Sequence, residues 1–334
     1  HHPRLDGMTY GFIENAVNGE RVIGHGGNTF LFNTGLYLLP EHRIGLFVSY
    51  SGGVGTEREV LFQAFMDRYY PAPQMTELEP PSGSVERAAD YVGEYHPNRS
   101  SFTTAERLLS LMQASRISVT EDGHLVANMY GETMQFIEVE PGVYRNRMTD
   151  GAQIVSTLVF DTDVGGRTML FHDGSLNPMT QSRAPWYGTG RLAGMLVTSA
   201  LLMLSGTAVG WTTAPAARLL RGHREPVHWP TFAARASAGL LAAAALVLLV
   251  GLVVEFGDIH PAYGVPRVVL GDVDRLQRLL MIPPVMALLN GVTVVFSVLA
   301  WHRGYWTAAA RVHYTLVTLS GLGLIWVLRL GRLL

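Results

Sequence analysis

The sequence predicts three architectures in series: an α+β piece (an antiparallel sheet plus a helix), a small antiparallel β-barrel, and an all-α transmembrane bundle. Three observations carry this reading. Short strands punctuated by Asn-Gly, Asp-Gly and Pro-Gly turns fill the first half of the chain. A proline-rich stretch divides that half in two. Long runs without charge then occupy the second half. The 334 residues are 48% hydrophobic and 16% charged, where a soluble domain carries about 25% charged residues. Part of the chain is therefore expected to be solvated by lipid.

Residues 1–72 form the first segment. Thr9 to Glu14 and Glu20 to Gly24 flank Asn18-Gly19, a strong hairpin signal. Gly35 to Leu39 and Ile44 to Ser49 flank a second turn, Pro40 to Arg43. Glu57 to Tyr69 reads as an amphipathic helix with Leu61, Phe65 and Tyr69 on one stripe. Strand pairs followed by a helix suggest a sheet covered on one face.

Residues 73–86 read as a proline-rich linker, and residues 87–188 as the barrel. Thr103-x-x-Glu106 resembles a capping box before Leu108, Leu109 and Met112. Strands are expected over Ile117–Thr120, Leu125–Met129, Met134–Val139, Ile154–Phe160 and Thr168–Phe171, with turns at Asp122-Gly123, Pro141-Gly142 and Gly165-Gly166. This is the pattern of a small up-and-down barrel or meander.

Residues 191–334 read as a transmembrane domain. Charge is absent over 192–217, 236–254, 279–301 and 312–328. A helix needs about 20 apolar residues to cross the hydrocarbon, so four helices are expected at about 192–213, 236–255, 279–301 and 312–330, with three as the fallback. Pro283-Pro284 is expected to kink or unwind the third helix, and Gly206-x-x-x-Gly210 to permit close helix contact. Asn290 reads as interhelical glue. The first connection holds Arg218, Arg221, Arg224 and Arg235 against Glu225 alone, and the third holds Arg303 and Arg311. Positive loops stay in the cytoplasm. The expected location is a multi-pass protein of the cell membrane with residues 1–190 extracytoplasmic.

Composition also excludes chemistry. Lysine and cysteine are both absent, which removes Walker loops, Schiff bases, thiolates and disulfides. A net charge of −2 argues against nucleic acid as a partner. No cofactor or metal is expected. His223, His228, His302 and His313 lack ligand spacing, and nothing in the sequence brings Glu132 and Glu138 together as a carboxylate pair. Gly52-Gly53-Val54-Gly55-Thr56 reads as a loop rather than a phosphate cradle.

The most informative segment is Gly24-His25-Gly26-Gly27-Asn28. Glycines in a strand let another backbone approach closely, and a histidine there can offer a proton or charge to a bound molecule. Its setting is a hairpin, then His-Gly-Gly, then Phe32-Asn-Thr-Gly-Leu-Tyr-Leu-Leu-Pro-Glu41, Ile44-Gly-Leu-Phe-Val-Ser49, and a helix ending in Tyr69-Tyr-Pro71. Residues 7–70 in this order resemble the C-terminal end of the penicillin-recognising serine hydrolases, the class C β-lactamase and D-alanyl-D-alanine peptidase type. Segment 87–190, with Tyr91-Val-Gly-Glu-Tyr95 and Arg183-Ala-Pro-Trp-Tyr187, resembles the lipocalin-like barrel that follows in membrane-tethered members.

The resemblance implies site roles for His25, Gly26, Gly27 and Asn28. They fall on the family's third motif, Lys-Thr-Gly or His-x-Gly. His25 would bind a substrate carboxylate or polarise the proton network, Gly27 would keep the strand edge open, and the Asn28 N–H would be one of two oxyanion donors. The first motif, Ser-x-x-Lys, cannot exist here without lysine. The second, Tyr-x-Asn, should precede His25, whereas Tyr144-Arg145-Asn146 lies downstream. The chain is thus expected to be the C-terminal part of a longer polypeptide, inactive alone, whose missing N-terminal half supplies nucleophile and base. The implied substrate is a small peptide, β-lactam or ester, and the other partner is the lipid bilayer. The alternative is a non-catalytic membrane-bound sensor or partner-binding module that keeps the hydrolase fold.

Overall fold

The computed structural model describes residues 2–8, 10–29, 31–53, 55–72, 79–107, 111, 113–147, 155–173, 179–220 and 228–334. The chain divides into two compact units, residues 1–100 with 109–185, and residues 101–108 with 186–334.

The first unit opens with a four-stranded antiparallel sheet in the order β1 (Ile13–Val17), β2 (Glu20–Asn28), β3 (Phe32–Leu39), β4 (Ile44–Ser51). Asn18 and Gly19 both take positive φ, 53° and 84°, as a two-residue hairpin of this kind requires. That turn pairs Val17 with Glu20. The first strand therefore abuts residue 17 instead of ending at Glu14 as the sequence suggested.

Helix α1 (Glu57–Tyr69) packs against β3. Tyr37 stacks on Phe62 with centroids 4.0 Å apart, and Leu39, Met66, Val22 and Ile13 complete this core. The buried stripe is Arg58, Phe62 and Met66. The expected stripe of Leu61, Phe65 and Tyr69 is displaced: Leu61 and Tyr69 are exposed, and only Phe65 packs partly inward. Both stripes have helical spacing, and the aromatic ring of Tyr37 selects between them.

The second part of this unit is α2 (Ser84–Asp90) followed by a closed eight-stranded barrel. Its strands are β5 (Gly93–Pro97), β6 (Ser115–Val119), β7 (Leu125–Met129), β8 (Glu132–Glu140), β9 (Val143–Asn146), β10 (Thr157–Thr162), β11 (Thr168–His172) and β12 (Met179–Arg183). Each pairs antiparallel with its sequence neighbour, and β12 pairs with β5 to close the ring. Three strands were not anticipated, β5, β9 and β12, because each is short and lacks clean alternation. Tyr95, Phe136, Tyr144, Leu125, Leu158 and Leu170 fill the interior. Arg87 of α2 reaches both oxygens of the buried Glu138, at 2.7 to 3.1 Å, and the Gly142 N–H donates to the same carboxylate at 2.9 Å. A buried carboxylate needs such partners. The linker residues 73–78 lie outside the described residues, as do Leu108, Leu109 and Met112 of the expected capped helix.

His172 on β11 is buried. Its Nδ1 meets the Asp173 carbonyl at 2.7 Å and its Nε2 meets the Tyr130 hydroxyl at 3.1 Å. Burial pushes its pKa below the ordinary 6.5, against the opposing pull of Asp173. The unfolded chain then binds a proton that the folded barrel refuses, so stability is full above 6.5 and falls as pH drops below it. Protection factors of the β11 and β12 amides, referred to the intrinsic exchange rate at each pH, are expected to fall on acidification through this range. A His172→Gln barrel is expected to lose that component of the dependence.

The second unit holds four helices long and apolar enough to cross a membrane: Gly190–Trp211, Trp229–Gly257, Asp274–His302 and Ala308–Leu330. By continuous hydrogen bonding they are α3 (Gly190–Leu220), α4 (Trp229–Gly257), α5 (Asp274–Leu279) with α6 (Ile282–His302), and α7 (Ala308–Leu330). Within the candidate span Asp274–His302 the helix is interrupted at Leu280 and Met281, just before Pro283 and Pro284, as the sequence suggested. The two prolines sit in the first turn of α6, where the missing N–H costs nothing. Ala200, Leu204, Leu241, Leu248, Met286 and Val317 form the interior.

Gly206 and Gly210 do not mediate close contact, since a Cβ on either would meet nothing within 4 Å among the described residues. Close approach occurs instead at Gly321, packed against Asn290 and Leu241, and at Gly251, packed against Leu279. Asn290 is buried, and its amide nitrogen is placed to donate to Thr293 Oγ1 at 3.1 Å and the Thr318 carbonyl at 3.3 Å. Arg221, His223, Arg224 and Glu225 of the first connection lie outside the described residues.

Candidate functional site

The segment His25–Asn28 forms the end of β2. Gly24 pairs with Tyr37, and Val22, Tyr37 and Leu39 lie in the core on the α1 face of the sheet. One residue further, His25 therefore points to the opposite face of the sheet. There it lies across from Leu36, which lies across from Phe47, and its side chain is exposed.

The edge of β2 changes character at the same point. Strand β1 ends at the pair Ile13–Gly24. Residues 25–28 thus pair only with β3, among the described residues. The two-residue turn makes Val17–Glu20 a hydrogen-bonded pair, so alternation turns the backbone groups of residues 20, 22 and 24 toward β1. The same alternation turns those of Gly26 and Asn28 toward the open side. The Thr29 N–H donating to the Phe32 carbonyl at 2.8 Å fixes the same phase from the other end of the strand. An exposed imidazole and the outward N–H of Asn28 therefore border one open strand edge. Such an edge can take up an extended backbone or donate to a carbonyl oxygen.

The glycines have separate reasons. A Cβ on Gly27 would stand 2.8 Å from Thr34 Oγ1 on β3, so a larger residue there would have to turn the Thr34 hydroxyl aside. Gly26 lies opposite Gly35, where a Cβ would strike the Tyr37 ring.

Sequence reasoning missed Arg58. This residue of α1 is buried, and its Nη1 donates to the Gly27 carbonyl at 3.2 Å and to Asn28 Oδ1. Its Nε donates to Glu59 at 2.7 Å. The guanidinium thus fastens the end of β2 to the helix. The signal was present, because Arg58, Phe62 and Met66 recur at four-residue spacing, but an arginine on an apolar stripe reads as exposed. Beneath it the Tyr37 hydroxyl is buried without a hydrogen-bond partner among the described residues. Burial and then Glu59 push its pKa up, with Arg58 opposing.

The other sequence candidates do not join this site. Gly52 and Gly53 turn the chain from β4 into α1, and Glu57 accepts from the Gly55 N–H at 3.0 Å. A carboxylate in the first turn of α1 makes a poor phosphate cradle. Val54 lies outside the described residues. Tyr144 and Asn146 belong to the barrel interior, where Asn146 donates to the Val155 carbonyl at 2.9 Å. Glu138 is engaged by Arg87. His313 meets Thr207 Oγ1 at 3.2 Å inside the helical unit. No group of three metal-binding side chains occurs among the described residues.

No family model matches this sequence, and no curated protein matches it. Among solved structures, "Crystal structure of SurE with D-Leu" is similar over 54% of this chain and 39% of its own, at 14% identity and a TM-score of 0.32. "Crystal structure of SurE" is similar over 54% and 38%, at 15% identity and a TM-score of 0.31. The chain thus spans well under half the length of either, and a likeness this slight assigns neither fold nor activity.

Proposed function

We propose that residues 1–72 are the C-terminal segment of a penicillin-recognising serine hydrolase domain, carried by a multi-pass membrane protein and facing the extracytoplasmic side. The observation that carries this reading is the open edge of β2, with His25 beside it and the Asn28 N–H directed outward. A serine from the preceding part of the polypeptide would attack an amide, lactam or ester carbonyl. The carbonyl oxygen would take up negative charge, and the Asn28 N–H would stabilise it as one of two donors. The tetrahedral adduct would expel the leaving group and leave an acyl-enzyme for water to hydrolyse. His25 would hold a substrate carboxylate or polarise the proton network.

The other face of the sheet supports the same reading. Ile23, Leu36 and Leu38 are only half-buried there, and Phe47 is exposed. An antiparallel sheet buries such a face against a second layer, which the N-terminal half of the domain would supply. The coding sequence upstream of His1 tests this directly. Ser-x-x-Lys followed by Tyr-x-Asn is the expected finding. Their absence would leave a non-catalytic sensor or binding module.

Orientation is tested separately. Arg303 and Arg311 lie at the α6–α7 end of the bundle and Arg235 in the first turns of α4, so this end is assigned to the cytoplasm. The chain has no cysteine, so Glu121→Cys and His302→Cys each report alone. In intact cells an impermeant maleimide is expected to label position 121 and to spare position 302. The reverse pattern would place the hydrolase segment inside.

A further inference from the structure

Helices α3 and α7 run antiparallel, with Gly323 against Leu196. Where α3 begins and α7 ends, Trp186, Tyr187, Leu192 and Trp326 line a groove of about 360 Å³ with wholly apolar walls. The rings meet edge to face, Trp186 to Tyr187 at 5.7 Å and Tyr187 to Trp326 at 6.2 Å. The Trp326 indole donates to the Tyr187 carbonyl at 3.3 Å, which fixes the wall.

Arginines lie next to the groove residues in the sequence. Arg191 precedes Leu192, and Arg329 follows Trp326 by three residues, on the same helix stripe toward the chain end. Arg332 lies just beyond. At the same end of the bundle Arg267 and Arg275 pair with Asp258 and Glu255. Arg191, Arg329 and Arg332 form no ion pair among the described residues, and all three are exposed. An open apolar aromatic groove at a bundle end that carries uncompensated guanidinium charge matches a molecule with a hydrocarbon tail and an anionic head. A free phosphate would gain nothing from the groove.

We propose that this groove binds one anionic phospholipid, its acyl chain against Trp186, Tyr187 and Trp326 and its phosphate on Arg329 and Arg191. The site lies at a helix end that a membrane-spanning bundle presents to the headgroup layer. The proposal stands independently of any hydrolase activity.

Native mass spectrometry tests it on the whole protein released from nanodiscs of phosphatidylcholine mixed with phosphatidylglycerol. One retained phosphatidylglycerol is expected. Arginine near a lipid headgroup contributes about fivefold in affinity, so Arg191→Gln with Arg329→Gln is expected to lower retention by more than tenfold. Both positions are exposed, so the fold should persist. Arg303→Gln, at the other end of the bundle, is expected to leave retention unchanged. Equal retention in the double variant, or an equal loss in Arg303→Gln, would overturn the site. Displacement of the lipid by inorganic phosphate would overturn the role given to the acyl chain.

Discussion

On the proposed hydrolase reading, alanine in place of His25 is expected to lower kcat/KM of the full-length protein by about 10²–10³, the usual cost of one donor aimed at developing charge. The side chain lies on the sheet face away from α1, the face proposed to meet the N-terminal half, so retention of the fold is read alongside the kinetics. Hydrogen exchange in β2 and β3 is expected to match wild type while acylation slows. Unchanged kinetics with every acylating substrate would reduce His25 to a surface residue. A matching loss of exchange protection would show that the substitution acts through the strand.

Phe136→Ala in the barrel is expected to cost about 3–5 kcal/mol, combining lost transfer energy with the cavity left behind. Phe136 is 0% exposed and sits opposite Leu125 and Asn146 on its two neighbouring strands. Tyr95, Tyr144, Leu158 and Leu170 share its interior, and aromatic walls collapse poorly into a void of that size. Thermal unfolding of the solubilised protein checks the magnitude. A change below 1 kcal/mol would mean that the barrel interior is looser than its packing indicates.

Much of this architecture was legible because its signals are local. Asn18-Gly19 announces a hairpin from two residues, and charge-free runs announce the apolar helices from composition alone. The displaced first strand, the rotated stripe of α1 and the idle Gly206–Gly210 pair were not legible. Each depends on which partner lies opposite, which periodicity does not encode. The same holds at the candidate site. Gly-His-Gly-Gly marks a special strand end, but the open edge exists only because β1 stops at Ile13. Arg58 enters the site from 30 residues beyond Asn28 through tertiary packing.

Activity-based labelling of the full polypeptide in its membrane tests the central claim most directly. A fluorophosphonate should phosphonylate, and a fluorescent penicillin should acylate, one serine upstream of His1, and the label should form far more slowly in the His25→Ala protein. No adduct with either probe, or a stoichiometric adduct on a serine within residues 1–334, would contradict the account.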